Sequence, residues 1–126
     1  MELTPLVPTD RQIIERYGED GFRIAGVIYH GSVLVFPDRT LSWQVASAAD
    51  VTQESLAPVV EHGGTRILLL GLGRSMRAIP TMLRKTLRDV GIVLEPMDTG
   101  AACRTFNVLV AEDRPVAAAL LPLLQA

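Results

Sequence analysis

Cys103, the single cysteine of the chain, stands five residues after Asp98, beside Arg104 and one helical turn before Asn107. A thiolate with a base within reach is a nucleophile, and a thiolate with imidazoles is a metal ligand. The partners for either chemistry are scarce. His30 and His62 are the only histidines, and no spacing brings either of them to Cys103. With a helix starting at Thr99, Cys103 falls on the inner face together with Ala102, Phe106, Leu109 and Val110. The expected role is therefore a small core residue with a raised pKa and little reactivity. No catalytic, cofactor-binding or metal-binding residue is assigned.

The second candidate is the loop Gly71-Leu72-Gly73-Arg74-Ser75, which follows the apolar run Arg66–Leu70. A strand, a glycine turn and a helix can hold a dinucleotide pyrophosphate, and Glu95 at the end of the next strand stands near where a ribose-binding acid would be. Against this, Met76 occupies the third glycine position, the helix starts only near Pro80, and the first half of the chain is not a βαβ unit. The competing reading is a turn that needs positive φ. A looser ligand site remains open, because this loop and the helix start at Asp98-Thr99 both lie at carboxyl ends of strands. Arg74 could there face an anion held by free N–H groups near Thr99. Gly71, Gly73, Arg74, Asp98, Thr99, Arg104 and Asn107 form the candidate ligand or partner surface.

Charge supplies a third feature. No acidic residue lies between His62 and Arg88, a stretch holding Arg66, Arg74, Arg77, Arg84, Lys85 and Arg88. On a helical wheel Ile79, Leu83, Leu87 and Val90 share one face, and Arg77, Arg84, Lys85 and Arg88 gather opposite. Such a strip is either a solvated helix face or a docking strip for an acidic protein surface or anionic lipid headgroups. The outer side of the Thr99 helix is odd in another way. Arg104 projects there among Ala101, Val108 and Ala111, too apolar for a plain solvent face. Another part of the chain or a partner must cover it.

The elements that position these residues can be read in order. Residues 1–12, with Pro5 and Pro8 and no period, read as an extended arm before a single domain over 13–126. Ile13 to Tyr17 is a short apolar piece ended by Gly18. Alternation from Phe22 to Ile28 predicts a strand, His30-Gly31-Ser32 a tight turn, Val33 to Phe36 its partner strand, and Leu41 to Val45 a third. Pro58, costly inside a helix and cheap in a first turn, favours a short helix capped by Ser55 and ending at His62-Gly63-Gly64. Arg66–Leu70 reads as a strand covered on both faces. A helix from Pro80 to Val90, a strand from Ile92 to Leu94 and the long helix capped by Thr99 follow. Asp113-Arg114-Pro115 breaks that helix. By propensity, the Ala-rich run after Pro115 is helical. The second half therefore predicts a right-handed parallel crossover, and the first half adds antiparallel strands.

Length and composition bound the class. At 126 residues the chain is one domain, with 48% apolar and 21% charged residues, as in ordinary globular proteins. A net charge of −2 disfavours nucleic acid as a partner. One cysteine points to a reducing compartment, the start Met-Glu-Leu-Thr-Pro is not a secretory or transit signal, and no apolar run is long enough to span a bilayer. The expected location is cytoplasmic, with peripheral membrane contact through the basic strip left open.

The blocks Glu95-Pro96-Met97-Asp98-Thr99, Ala102 to Leu109 and Arg114 to Leu120 resemble the E-x-M-x-T-x-x-A-x-x-T-Y/F-N-x-L signature of the domain of unknown function 498 family. Tyr17-Gly18, Gly21-Phe22, Gly31-Ser32, Phe36-Pro37, Trp43 and the loop from Leu68 to Gly73 resemble it too. The likeness runs over roughly residues 10 to 121. It implies a compact three-layer α/β domain with a mixed central sheet and a smaller β layer, and a strand, not a helix, over Val116 to Leu121. The family includes a mitochondrial respiratory complex I assembly factor and an adipogenesis-associated cytosolic protein. Without a targeting presequence, this chain looks like a stand-alone bacterial or cytosolic member. The implied function is non-enzymatic binding or assembly, with complex I subunits or assembly factors as partners and no cofactor.

Overall fold

A computed structural model describes residues 11–75 and 77–124. Eight strands form two sheets. β1 (Ile14–Tyr17), β2 (Gly21–Ile24) and β3 (Val27–His30) make an antiparallel three-stranded sheet in that order. The second sheet has five strands: β4 (Val33–Val35), β5 (Thr40–Ser42), β6 (Ile67–Leu72), β7 (Val93–Met97) and β8 (Val116–Leu121). Their order is β5-β4-β8-β6-β7, with β8, β6 and β7 mutually parallel and β4 and β5 running antiparallel. Three α-helices, α1 (Ala57–His62), α2 (Thr81–Asp89) and α3 (Thr99–Ala111), complete the domain.

Side-chain alternation divides the core into two layers. Leu34, Leu68, Leu70, Ala117, Ala119 and Leu121 point to one face, where Val59 of α1 and Leu83 and Leu87 of α2 close over them. Val33, Val35, Leu69, Val116, Ala118 and Leu120 point to the other, against Ala102, Cys103, Phe106 and Val110 of α3 and Phe22 and Ile24 of β2. Strands buried on both faces have no polar face to show, which is why β6 reads as an unbroken apolar run. From β6 the chain steps outward to β7 and then back past β6 to β8. Two crossovers of one hand that travel in opposite directions must put their helices on opposite faces. That places α2 and α3 on either side of the sheet.

Several expectations need correction. Phe22 to Ile28 is not one strand: the backbone reverses at Ala25 and Gly26, with φ of 47° and 80°, and β3 returns along β2 with Phe22 opposite Tyr29. His30-Gly31-Ser32 is therefore a link between two sheets rather than a hairpin turn, and the partners of β4 are β5 and β8. Ser55 does not cap α1. Its hydroxyl closes a turn on Thr52, accepting from the Thr52 N–H at 2.9 Å and donating to the Thr52 carbonyl at 2.8 Å, and the helix begins behind Leu56. The Ala-rich run is a strand, β8, as the family likeness implied. Its small side chains let helices approach both faces of the sheet, which outweighs the helix propensity of alanine. The third strand stops at Ser42; Trp43 lies just past it with its indole N–H donated to the Ser55 carbonyl at 2.8 Å. The expected arm over residues 1–12 lies mostly outside the described residues. Its last two members are tied down, Arg11 to the Val110 carbonyl and Asp113, and the Gln12 N–H to the Pro37 carbonyl.

Open strand edges invite further pairing, and most edges here are closed. The outer side of β1 is met by the Asn107 amide, whose Oδ1 accepts from the Ile14 N–H and whose Nδ2 donates to the Ile14 carbonyl, both at 2.9 Å. On β7, Arg84 donates to the Leu94 carbonyl at 2.9 Å, and Pro96 has no N–H to offer. β5 is only three residues long.

Candidate functional site

The start of α3 is tied to the ends of β6 and β8 at one buried hydroxyl. Thr99 is fully buried. Its Oγ1 accepts from the Gly73 N–H at 2.8 Å and donates to the Leu121 carbonyl at 2.6 Å, while its own N–H donates to the Gly73 carbonyl at 2.8 Å. Thr99 is thus not the helix cap. Asp98 holds that place, with extended backbone and a carboxylate that accepts from the Ala101 N–H at 2.8 Å. The threonine sits one position further in, where its hydroxyl can reach the ends of β6 and β8. A short polar side chain is required there because both strand ends leave a backbone group without a sheet partner.

The glycines serve this approach. A Cβ at Gly71 would lie 2.9 Å from Leu120 Cδ2 and 3.1 Å from Thr99 Cα, so only glycine lets α3 sit this close to β6. Gly73 has φ of 91° and turns the chain out of the strand. Neither belongs to a phosphate loop, because the helix after β6 starts only at Thr81. The other sequence candidates separate. Arg74 is exposed and pairs with Glu19 at 3.3 Å. The donors an anion would need at Thr99 and Ala101 are taken by Gly73 and Asp98. Gly100 lies beneath Tyr17, whose hydroxyl oxygen would stand 2.8 Å from a Cβ there. The structure therefore fills the expected anion site with the chain's own groups.

The apolar outer side of α3 is covered along one flank only, and Arg104, Val108 and Ala111 are exposed. β1 lies along that flank: Arg104 Nη1 donates to the Tyr17 hydroxyl at 3.4 Å, and Asn107 grips Ile14. Val108, on the uncovered flank, remains 57% exposed. Tyr17 and Ile14 are the members of this cluster that reasoning on the helix alone does not name. The signal was the unexplained apolar face itself. Cys103 is 2% exposed, and burial pushes its thiol up to about 12, with Arg104 opposing and Asp98 adding smaller effects. Among the described residues no group of three His, Cys, Asp or Glu side chains converges as a metal site, and no helix is long and apolar enough to cross a membrane.

The basic strip is only partly free. One Arg84 donor is taken by the Leu94 carbonyl and the exposed Lys85 pairs with Asp89 at 3.7 Å, while Arg77 and Arg88 are exposed. Val90, expected on the apolar face, is 51% exposed beyond the end of α2.

Taken together, a mixed five-stranded sheet, a helix clasped by a threonine latch and a small antiparallel sheet laid over that helix define a layered α/β domain. A solved structure described as an outer membrane protein from Bartonella henselae shares it, with a TM-score of 0.82 and 38% identity over 90% of this chain and 97% of that one. Residues 14–121 match the family described as "Protein of unknown function (DUF498/DUF598)", and the chain belongs to that family. Among curated relatives, "NADH dehydrogenase [ubiquinone] 1 alpha subcomplex assembly factor 3" of Xenopus tropicalis is 38% identical over 115 residues, 86% of this chain and 60% of that protein. An uncharacterised protein of Rhodobacter capsulatus is 36% identical over 111 residues, 87% of this chain and 84% of its own length. The chain thus spans about 60% of the length of the Xenopus assembly factor that it matches.

Proposed function

We propose that this chain is a protein-binding assembly factor that serves the biogenesis of a respiratory NADH dehydrogenase, complex I. The observation that carries this reading is the likeness, across nearly the whole domain, to relatives bearing that assembly-factor name. The geometry around α3 supports it in one respect: Asp98, Thr99 and Asn107 are engaged in holding the fold, so they act as scaffold and leave recognition to the outer surface. The partners on this reading are complex I subunits or fellow assembly factors. The same reading puts the work in the cytoplasm, where a lone reduced thiol such as Cys103 persists.

The test is deletion of the gene in a host that makes the enzyme, read by native gels and NADH oxidation in membranes. Loss of the assembled complex, restored by the intact chain, is expected, as is recovery of complex I subunits with an affinity-tagged copy. Normal assembly in the deletion strain overturns the reading.

A further inference from the structure

One face of the molecule collects arginines around a strand edge. A groove of about 280 Å³ runs between α2 and the outer side of β7, lined by Arg84, Arg88, Ile92, Val93 and Leu94. Arg66 stands at the head of that edge, its carbonyl accepting from the Val93 N–H at 2.9 Å and its guanidinium 3.8 Å from where a Cβ on Gly91 would be. Val93, half exposed, is the apolar side chain that this edge presents to the groove, and Leu94 beside it is buried. Arg84 is anchored by the Leu94 carbonyl, which fixes its direction and leaves its remaining donors available. Of the nearby carboxylates, Asp89 is held by Lys85, and Glu95, on the same face of β7 as Val93, lies outside the groove's lining. The chain carries net charge −2, so this cationic groove is a local departure from the molecule's own sign.

We propose that the groove between α2 and β7 docks an acidic segment of a partner protein, whose carboxylates meet Arg66, Arg84 and Arg88 and whose apolar side chains meet Val93. This rests on the assembly-factor reading and adds what the partner must offer. Guanidinium forks match carboxylates in pairs, and the exposed Val93 offers an apolar contact between them. An anionic lipid surface calls for cations spread over a plane, whereas these three ring a recessed edge.

Fluorescence anisotropy with a labelled short peptide of alternating Glu and Val, and a Lys/Val counterpart as control, tests this on the full chain. The acidic peptide binds, the basic one does not, and raising the salt concentration weakens the complex. Arg88→Glu, at an exposed position whose side chain bonds nothing among the described residues, weakens binding roughly fivefold or more, since reversal removes one attraction and adds a repulsion. Arg77→Glu, in the segment that precedes α2, leaves it nearly unchanged. Circular dichroism of both variants confirms that they are folded. Equal effects of the two reversals overturn the proposal, as does binding that ignores salt. So do two other outcomes: capture by phosphatidylserine vesicles without peptide binding, which assigns the face to lipid, and salt-dependent self-association without peptide binding, which assigns it to a second copy. Complementation separates the two levels. If the deletion strain is rescued equally by Arg88→Glu, the docking site is wrong and the assembly function stands. If deletion leaves assembly intact while the peptide still binds through Arg88, the function is wrong and the site stands.

Discussion

Replacing Thr99 by valine keeps the shape of the side chain and removes one oxygen. Two backbone groups then lose their partner in the interior: the Gly73 N–H at 2.8 Å and the Leu121 carbonyl at 2.6 Å. An orphaned buried donor or acceptor costs about 1–3 kcal/mol, so allowing for some relaxation the pair amounts to roughly 2–5 kcal/mol. In a domain of this size each kcal/mol moves the melting temperature by about 3–5 °C, which gives a drop of roughly 6–25 °C. Thr99→Ser is the control, because it keeps the hydroxyl and loses only a buried methyl, worth about 1 kcal/mol. Urea denaturation followed by far-UV circular dichroism and Trp43 fluorescence measures both. A lower midpoint at unchanged slope reports stability and not a change in compactness. The latch is refuted if valine and serine behave alike, or if valine costs under about 1 kcal/mol, since the strand ends would then have found other partners.

Two further outcomes follow from the same elements. Asn107→Leu leaves the Ile14 N–H and carbonyl unpaired; the expected loss is about 1–2 kcal/mol, less than for Thr99 because water reaches this partly buried site. Amide exchange at Ile14 quickens, while that of Leu69 in β6 changes only with global stability. Cys103 has a pKa raised from 9.0 to about 12 by burial, so its stabilising effect is complete below pH 9, where both states hold the proton, and fades as pH rises towards 12. Iodoacetamide at pH 8 therefore labels Cys103 only in denaturant, and Cys103→Ala flattens the alkaline limb of a stability-versus-pH curve. Rapid labelling of the native protein contradicts the buried thiol.

What could be read in the sequence, and what could not, divides along physical lines. β6 was legible because burial on both faces demands an unbroken apolar run, and α2 because Leu83 and Leu87 recur at helical spacing. The inner face of α3, with Cys103 in it, followed from the same periodicity. The turn at Ala25-Gly26 was not legible. Its first residue is an alanine at φ of 47°, where asparagine or aspartate would have announced the reversal. Reversal also inverts the side-chain parity, so Ile28, expected beside Phe22 and Ile24, faces outward at 68% exposure. The cap at Asp98-Thr99 was visible as a pair, but which of the two caps depends on β6 and β8 being near. The anion site failed for a related reason: free helix N–H groups are a local inference, and Gly73, distant in sequence, had already taken one. The apolar side around Arg104, expected to be covered, is covered only in part: β1 reaches Gly100 and Asn107, while Arg104, Val108 and Ala111 are exposed.

The position of β8 has a consequence for how the chain is made. The last strand in sequence lies in the middle of the five-stranded sheet, between β4 and β6. During synthesis, β4 and β5 leave the ribosome early and β6 and β7 later, yet the two pairs have no common neighbour until residues 116 to 121 emerge. Until then the alternating faces of both half-sheets wait uncovered, and the closing event is a long-range one of the slow kind. The nascent chain therefore depends on its final stretch to become a protein at all, and a ribosome that stalls shortly before residue 116 leaves two unjoined half-sheets.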